Sequence, residues 1–219
     1  MSDPTRLIVA ITGASGSIYG IRALQLLRAS GVEAHLVLSP WGARTLVHET
    51  RYSVKQVQAL AHTVYHAADE GAAISSGSFQ TLGMLVAPCS VRSLAAIAHG
   101  LGDSLVHRAA DVILKERRRL VLAVREAPLS EIHLENMLKL ARMGVVISPP
   151  VPAFYTRPAT VDDLVTYTAV RLLDQFGIHV DAPRWNGEMQ VSGTNRLASR
   201  PSAGRPSGRA HKGRRTPGG

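Results

Sequence analysis

The chain has 219 residues, of which 45% are hydrophobic, 19% charged and 5% aromatic. Its single cysteine excludes a disulfide framework and a Cys-rich zinc module, and no apolar run approaches the roughly 18 residues of a membrane span. The net charge of +9 is held unevenly: from Val191 onward stand seven basic residues and no acid, so the remainder carries 18 basic and 16 acidic residues and is near neutral.

A basic protein hints at nucleic acid, but a near-neutral body with a basic tail carries that hint weakly. The segment 1–6 has no signal-peptide apolar core, and the expected location is the cytoplasm.

Arg6–Thr12 reads as a buried strand and Ser17–Ala29 as a helix. Between them lies Thr12-Gly13-Ala14-Ser15-Gly16-Ser17. Small residues let the backbone approach a ligand, a helix start offers N–H groups to an anion, and Ser15 adds a hydroxyl. The segment is neither G-x-G-x-x-G nor a P-loop, so it fits a phosphate or nucleotide contact or simply a tight turn. Val32–Leu38 is a second strand, ending at Ser39-Pro40-Trp41, where Ser39 is a ligand contact or a helix cap. Trp41–Glu49 and Val54–Ala61 read as helices. His62 and His66 stand four apart, but no third ligand is evident, and we assign no metal.

Gly83–Ala87 is a buried strand that Pro88 is expected to end. Pro88-Cys89-Ser90-Val91-Arg92-Ser93 then forms a second polar turn at a helix start, the helix covering Ser93–Ala98. Cys89 has no local base and reads as a buried thiol. The helix Ser104–Arg117 sets Arg108, Asp111 and Lys115 on one face. The strand Leu120–Val124 ends in Arg125-Glu126, a pair that could serve proton transfer. Glu131–Met143 is a helix with Gly144 at its end, followed by a strand at Val145–Ile147. Pro149–Tyr155 is a stiff connector, in which Tyr155 is a candidate hydrogen-bond donor. The last helix, Val161–Phe176, has Thr160 as N-cap, Asp163 three residues on and Gly177 as its stop. Arg171 on that helix is a candidate anion clamp or a surface ion pair. Asp162-Asp163 is read as helix capping, not as a magnesium site.

Apolar strands alternating with helices predict a parallel sheet covered on both faces, a three-layer doubly wound α/β fold. Ligands of such folds bind beyond the carboxyl ends of the strands, where the polar turns above fall. One domain is expected over 1–190. The Gly-, Pro-, Ser- and Arg-rich segment 191–219 cannot bury enough surface to fold and is expected to be a disordered basic tail.

Seven segments resemble the flavin prenyltransferases of the UbiX/Pad type: Thr12–Gly20, Ala87–Ser90, Arg108–Arg118, Arg125–Leu129, His133–Met137, Pro152–Tyr155 and Arg171–Asp174. The resemblance covers roughly residues 6–187. It implies a flavodoxin-like fold, a homododecamer, and metal-free transfer of a dimethylallyl group from dimethylallyl phosphate to N5 and C6 of reduced FMN. The product would serve a UbiD-type decarboxylase. Carried onto this chain, Gly13, Ala14, Ser15, Ser39, Ser90, Val91, Arg92, Ser93 and Arg125 become FMN contacts. Lys115, Glu126, Tyr155 and Arg171 become the grip on the prenyl phosphate. Ser15, Lys115, Glu126 and Arg108 become the catalytic set, Arg108 from the same or a neighbouring subunit. Asp103-Ser104 and Val91-Arg92-Ser93 depart modestly from the family pattern, and Trp185 is a candidate site-lining or interface residue. A flavin-dependent decarboxylase and a non-catalytic flavin-binding subunit are the competing readings.

Overall fold

The structure, a computed structural model, describes residues 5–182, Arg184 and Gly187. Six strands make one sheet: β1 (Arg6–Ile11), β2 (Glu33–Leu38), β3 (Thr63–Tyr65), β4 (Gly83–Cys89), β5 (Arg119–Val124) and β6 (Val146–Ile147). All neighbouring pairs are parallel, in the order β3-β2-β1-β4-β5-β6. The helices are α1 (Ser17–Ala29), α2 (Pro40–Glu49), α3 (Val54–Gln58), α4 (Val91–Ala98), α5 (Leu105–Lys115), α6 (Glu131–Arg142) and α7 (Val161–Asp174).

The uninterrupted apolar strands follow from having two covers. Side chains alternate along a strand, so Leu7, Val9 and Ile11 enter one core while Ile8 and Ala10 enter the other. The first core is closed by Ile21 and Leu24 of α1, Leu46 of α2 and Leu172 and Leu173 of α7. The second is closed by Leu94 of α4, Ile113 of α5 and Leu140 of α6. The central strands are sealed almost completely, with Leu7, Val9, Ala10 and Ile11 all at 0% exposure. At about 25 cal/mol per Å² of apolar surface, this double burial is the main term that stabilises the sheet.

Close packing explains one glycine. A Cβ on Gly20 would stand 2.3 Å from the Ala87 carbonyl oxygen, so α1 lies against β4 only because that position has none.

Two expectations need correction. Pro88 does not end β4, which runs on to Cys89 through a cis Ala87–Pro88 bond, with a register irregularity against β5 between Val86 and Cys89. A proline is tolerated there because the ladder is already interrupted. The strand β3 was not anticipated: three residues at the sheet edge, flanked by His62 and His66, give too short a pattern to read. Helix boundaries otherwise agree to within a few residues, and the Thr160–Asp163 cap forms as a full capping box. No helix among the described residues is long and apolar enough to cross a membrane. Trp185 and the segment 191–219 lie outside the described residues.

Candidate functional site

The strand order turns outward in both directions from β1 and β4, and a doubly wound sheet opens a crevice at that switch point. A cleft of about 930 Å³ occupies it. The segments at the strand ends build its wall: Gly13, Ala14 and Ser15 after β1; Ser39, Pro40 and Trp41 after β2; Tyr65 and His66 at β3; Ser90–Ser93 after β4; Arg125 and Glu126 after β5. Asp103, Ser104 and His107 close it from the start of α5.

The crossing of β1 and β4 is tied by one side chain. Thr12 is 1% exposed; its hydroxyl donates to the Pro88 carbonyl at 2.8 Å and accepts the Ser90 N–H at 2.8 Å. Sequence reading placed Thr12 in the turn but gave it no role, because both partners lie more than 70 residues away. Gly13 is required by space: a Cβ there would meet the Trp41 Cβ at 2.5 Å. The close pass brings the indole of Trp41, 61% exposed and covered by the Arg44 guanidinium, to the rim of the cleft.

Besides the start of α5, the starts of α1, α2 and α4 face the cleft, and they are not equivalent. Ser39 caps α2 by accepting the Gly42 N–H at 3.0 Å. Ser90 caps α4 by accepting the Ser93 N–H at 3.2 Å. The start of α1 is different: Glu49, at the end of α2, accepts the N–H of Gly16 at 2.8 Å and of Ser17 at 3.4 Å. The expected anion site at the first turn is therefore filled by the chain's own carboxylate. The starts of α2 and α4 keep first-turn N–H groups that a helix leaves without internal acceptors. Glu49 could not be found from the sequence, since only the packing of α2 on α1 brings it there.

Ser39 and Ser90 are thus both caps and cleft walls, so the cap expected as one alternative for Ser39 forms. Arg125 and Glu126 lie side by side at the cleft, and the Glu126 carboxylate accepts the Ala127 N–H at 3.0 Å. Burial pushes the Tyr19 phenol up, opposed by the positive charge of nearby Arg125. Cys89 is fully buried, and burial pushes its thiol up to about 12, which rules it out as a nucleophile near neutral pH.

Four expected site residues are not brought to this cleft. Lys115 ends α5 at the opposite end of the strands from the cleft; it pairs with Glu116 and lines a second groove of about 670 Å³ with Arg117, Arg118 and Arg119. Eleven residues of helix at about 1.5 Å each separate it from the cleft-facing start of α5. Arg108 pairs with Asp111 at 2.8 Å on α5. The face shared by Arg108, Asp111 and Lys115 is thus a salt-bridged surface in this chain. Tyr155 meets the Tyr167 hydroxyl, and Arg171 pairs with Asp174. Asp174 also accepts two bonds from Arg184, each 2.8 Å, which hold its carboxyl below the usual range. Tyr155, Tyr167, Arg171 and Asp174 make one cluster along α7, apart from the cleft.

The spacings set aside as metal sites have other work. His62 lies 3.7 Å from Glu33, and His66 accepts the Ala68 N–H at 3.3 Å. Asp163 accepts the N–H groups of Ala159 and Thr160, and Asp162 pairs with Arg22. Among the described residues no group of three or more His, Cys, Asp or Glu side chains is arranged to hold a metal.

A family model described as Flavoprotein matches residues 1–173. The mitochondrial flavin prenyltransferase PAD1 of Saccharomyces cerevisiae is 57% identical over 185 residues, spanning 84% of this chain and 76% of that protein. The crystal structure of a dodecameric FMN-dependent Ubix-like decarboxylase from Escherichia coli O157:H7 is 55% identical and superposes with a TM-score of 0.82, covering 84% of this chain and all of that one. AnUbiX (PadA1), solved with FMN and dimethylallyl pyrophosphate, is 50% identical with a TM-score of 0.81, over 85% of this chain and all of that one. With the doubly wound sheet, the switch-point cleft and these identities together, the chain belongs to the flavoprotein family and, within it, to the UbiX-type flavin prenyltransferases.

Proposed function

We propose that this chain joins a dimethylallyl group from dimethylallyl phosphate to N5 and C6 of reduced FMN, and that a UbiD-type decarboxylase receives the product. The observation that carries the reading is the cleft itself. It encloses about 930 Å³ and is lined by two serine-capped helix starts, by close-packed glycine and by the Arg125–Glu126 pair. Uncharged N–H and hydroxyl donors suit a phosphomonoester and a flavin edge.

In this reading Gly13, Ala14, Ser15, Ser39, Ser90, Val91, Arg92, Ser93 and Arg125 hold FMN, with Ser15 at the flavin edge. Glu126 moves a proton to or from the prenyl phosphate as the allylic C–O bond breaks. Charge develops on the leaving oxygen, and cations with a phenol supply what a metal supplies to diphosphates elsewhere. Lys115, Tyr155, Arg171 and Arg108 do not line the cleft of their own chain, and we assign them to the cleft of a neighbouring copy. Exposed Ile132 and Leu138 on α6 and exposed Val151 and Phe154 in the connector support an assembly of identical chains. A dodecamer, as in the Escherichia coli O157:H7 relative, is the form we assign. The cytoplasm is the setting assigned, consistent with a single unpaired thiol.

The test is anaerobic incubation of the purified chain with reduced FMN and dimethylallyl phosphate, without added metal, followed by mass spectrometry of the flavin. A gain of one C5H8 unit supports the transferase. The diphosphate is run alongside, since AnUbiX was solved with it. Flavin left unmodified by both donors would refute prenyl transfer and return the decarboxylase and flavin-subunit readings.

A further inference from the structure

Along one wall of the cleft runs a hydrogen-bonded chain that ends in two residues, Asp103 and His107, to which the proposed reaction gives no part. It starts at Asp103, just before α5, and passes to His107, which is 6% exposed in the first turn of that helix. His107 Nδ1 lies 2.6 Å from Asp103 Oδ1, and Nε2 lies 3.3 Å from Ser93 Oγ. The Ser90 hydroxyl donates to Ser93 Oγ at 3.2 Å, while Ser90 Oγ accepts the Ser93 N–H, also at 3.2 Å. The Ser90 N–H then reaches Thr12. Arg92 holds the other oxygen of Asp103 at 3.5 Å.

The directions of the protons follow from the partners. The bond to His107 holds the Asp103 carboxyl below its usual range, so it is a carboxylate and accepts only. Nδ1 therefore carries a proton, and in the neutral ring Nε2 accepts the Ser93 hydroxyl. Ser93 Oγ in turn accepts from Ser90. Each hydroxyl proton has one place to point, and neither serine is left to rotate. With Ser90 pinned as the cap of α4, the Val91 and Arg92 N–H groups are held toward the cleft that those residues line. The order Asp–His–Ser is that of a hydrolase triad. Here, however, the serine oxygen already receives a second hydroxyl and the residue is 6% exposed, which suits it to holding and not to attack.

We infer that His107 is a positioning residue for the flavin: clamped by Asp103, it fixes Ser93 and Ser90 and so keeps the start of α4 in the form that receives FMN. The inference rests on the reading of the cleft as the FMN site. The full-length chain is titrated with oxidised FMN, followed by flavin fluorescence and by the shape of the visible absorption band, with melting temperatures taken on the same samples. In His107→Gln the amide can occupy the place of Nε2 and accept from Ser93; affinity and band shape stay within about twofold of the native chain. In His107→Asn the shorter amide can meet only Asp103; FMN affinity falls about five- to tenfold and the band shape changes. Asp103→Asn, at an exposed position, moves affinity the same way by about two- to threefold. Native-like binding by His107→Asn, or equal losses in the Gln and Asn variants, would overturn the inference. If His107→Asn does not fold, unchanged affinity in Asp103→Asn overturns it. Failure of the native chain to bind FMN would instead overturn the flavin-site reading, and this inference with it.

Discussion

Replacing Thr12 by valine tests whether one hydroxyl ties the two central strands at the cleft. Valine matches threonine in shape, so the cores on either side keep their packing. What is lost is the bond to the Pro88 carbonyl, which is buried, and the acceptor for the Ser90 N–H, which is part-buried at the cleft, both 2.8 Å long. Each bond contributes about 1 kcal/mol net, and a buried N–H left without a partner costs about 1–3 kcal/mol more. The Pro88 oxygen keeps the Thr12 main-chain N–H at 3.2 Å, so the penalty falls mainly on Ser90. The expected loss is about 2–4 kcal/mol, and for a domain of this size a melting temperature lower by about 5–15 °C. Urea unfolding at fixed protein concentration measures it, with Thr12→Ser as the control that keeps the hydroxyl and loses only a methyl group. Because Ser90 also caps α4, FMN affinity should fall in the valine variant and survive in the serine variant. A valine variant within about 0.5 kcal/mol of the native chain, or a serine variant equally destabilised, would refute the assignment of the strand tie to this hydroxyl.

Glu126→Gln should still bind FMN but lose turnover by at least about a hundredfold, the usual worth of a positioned acid–base group; full turnover would remove Glu126 from the chemistry. Arg171→Ala should raise the KM for the prenyl phosphate about tenfold and change the FMN Kd by less than about twofold; equal losses of both would contradict its assignment to the prenyl phosphate. Asp174 has its carboxyl lowered chiefly by Arg184, so its stabilising effect is complete above the unfolded-state value near about 4 and is lost as pH falls through the lower folded value. Asp174→Asn should therefore melt about 3 °C below the native chain at pH 6, and the two curves should converge as the medium is acidified below about pH 4. A gap that persists there would mean that the loss is one of packing.

Much of the architecture was legible because two covers on a sheet leave a distinctive trace. Leu7–Ile11 and Met84–Ala87 are apolar without break, and only a strand buried on both faces asks for that. The cleft-lining turns were legible for the same reason: in this topology the turn after a central strand must face the crevice. The features that stayed hidden depend on chain segments meeting at long range. Glu49 reaches Gly16 across 33 residues, and His107 reaches Ser93 across 14. Neither has a spacing that would mark it, and each looks like an ordinary helix residue. That Lys115, Tyr155 and Arg171 stand outside the cleft of their own chain was hidden for a related reason. Their motifs are recognisable in the string, but a motif does not say where the fold carries it.

The carboxylate of Glu49 at the first helix bears on which nucleotides the crevice admits. In dinucleotide-binding sheets of this kind the pyrophosphate bridge rests on that helix end, where two or three amides welcome it. Here those amides are already engaged, and an incoming pyrophosphate would face a like charge at contact distance. NADH should bind poorly to the native chain and better to Glu49→Gln, a comparison that competition against FMN fluorescence can read. On this prediction the discrimination between a mononucleotide and a dinucleotide would come by exclusion, from a side chain that already occupies the amides at the first helix.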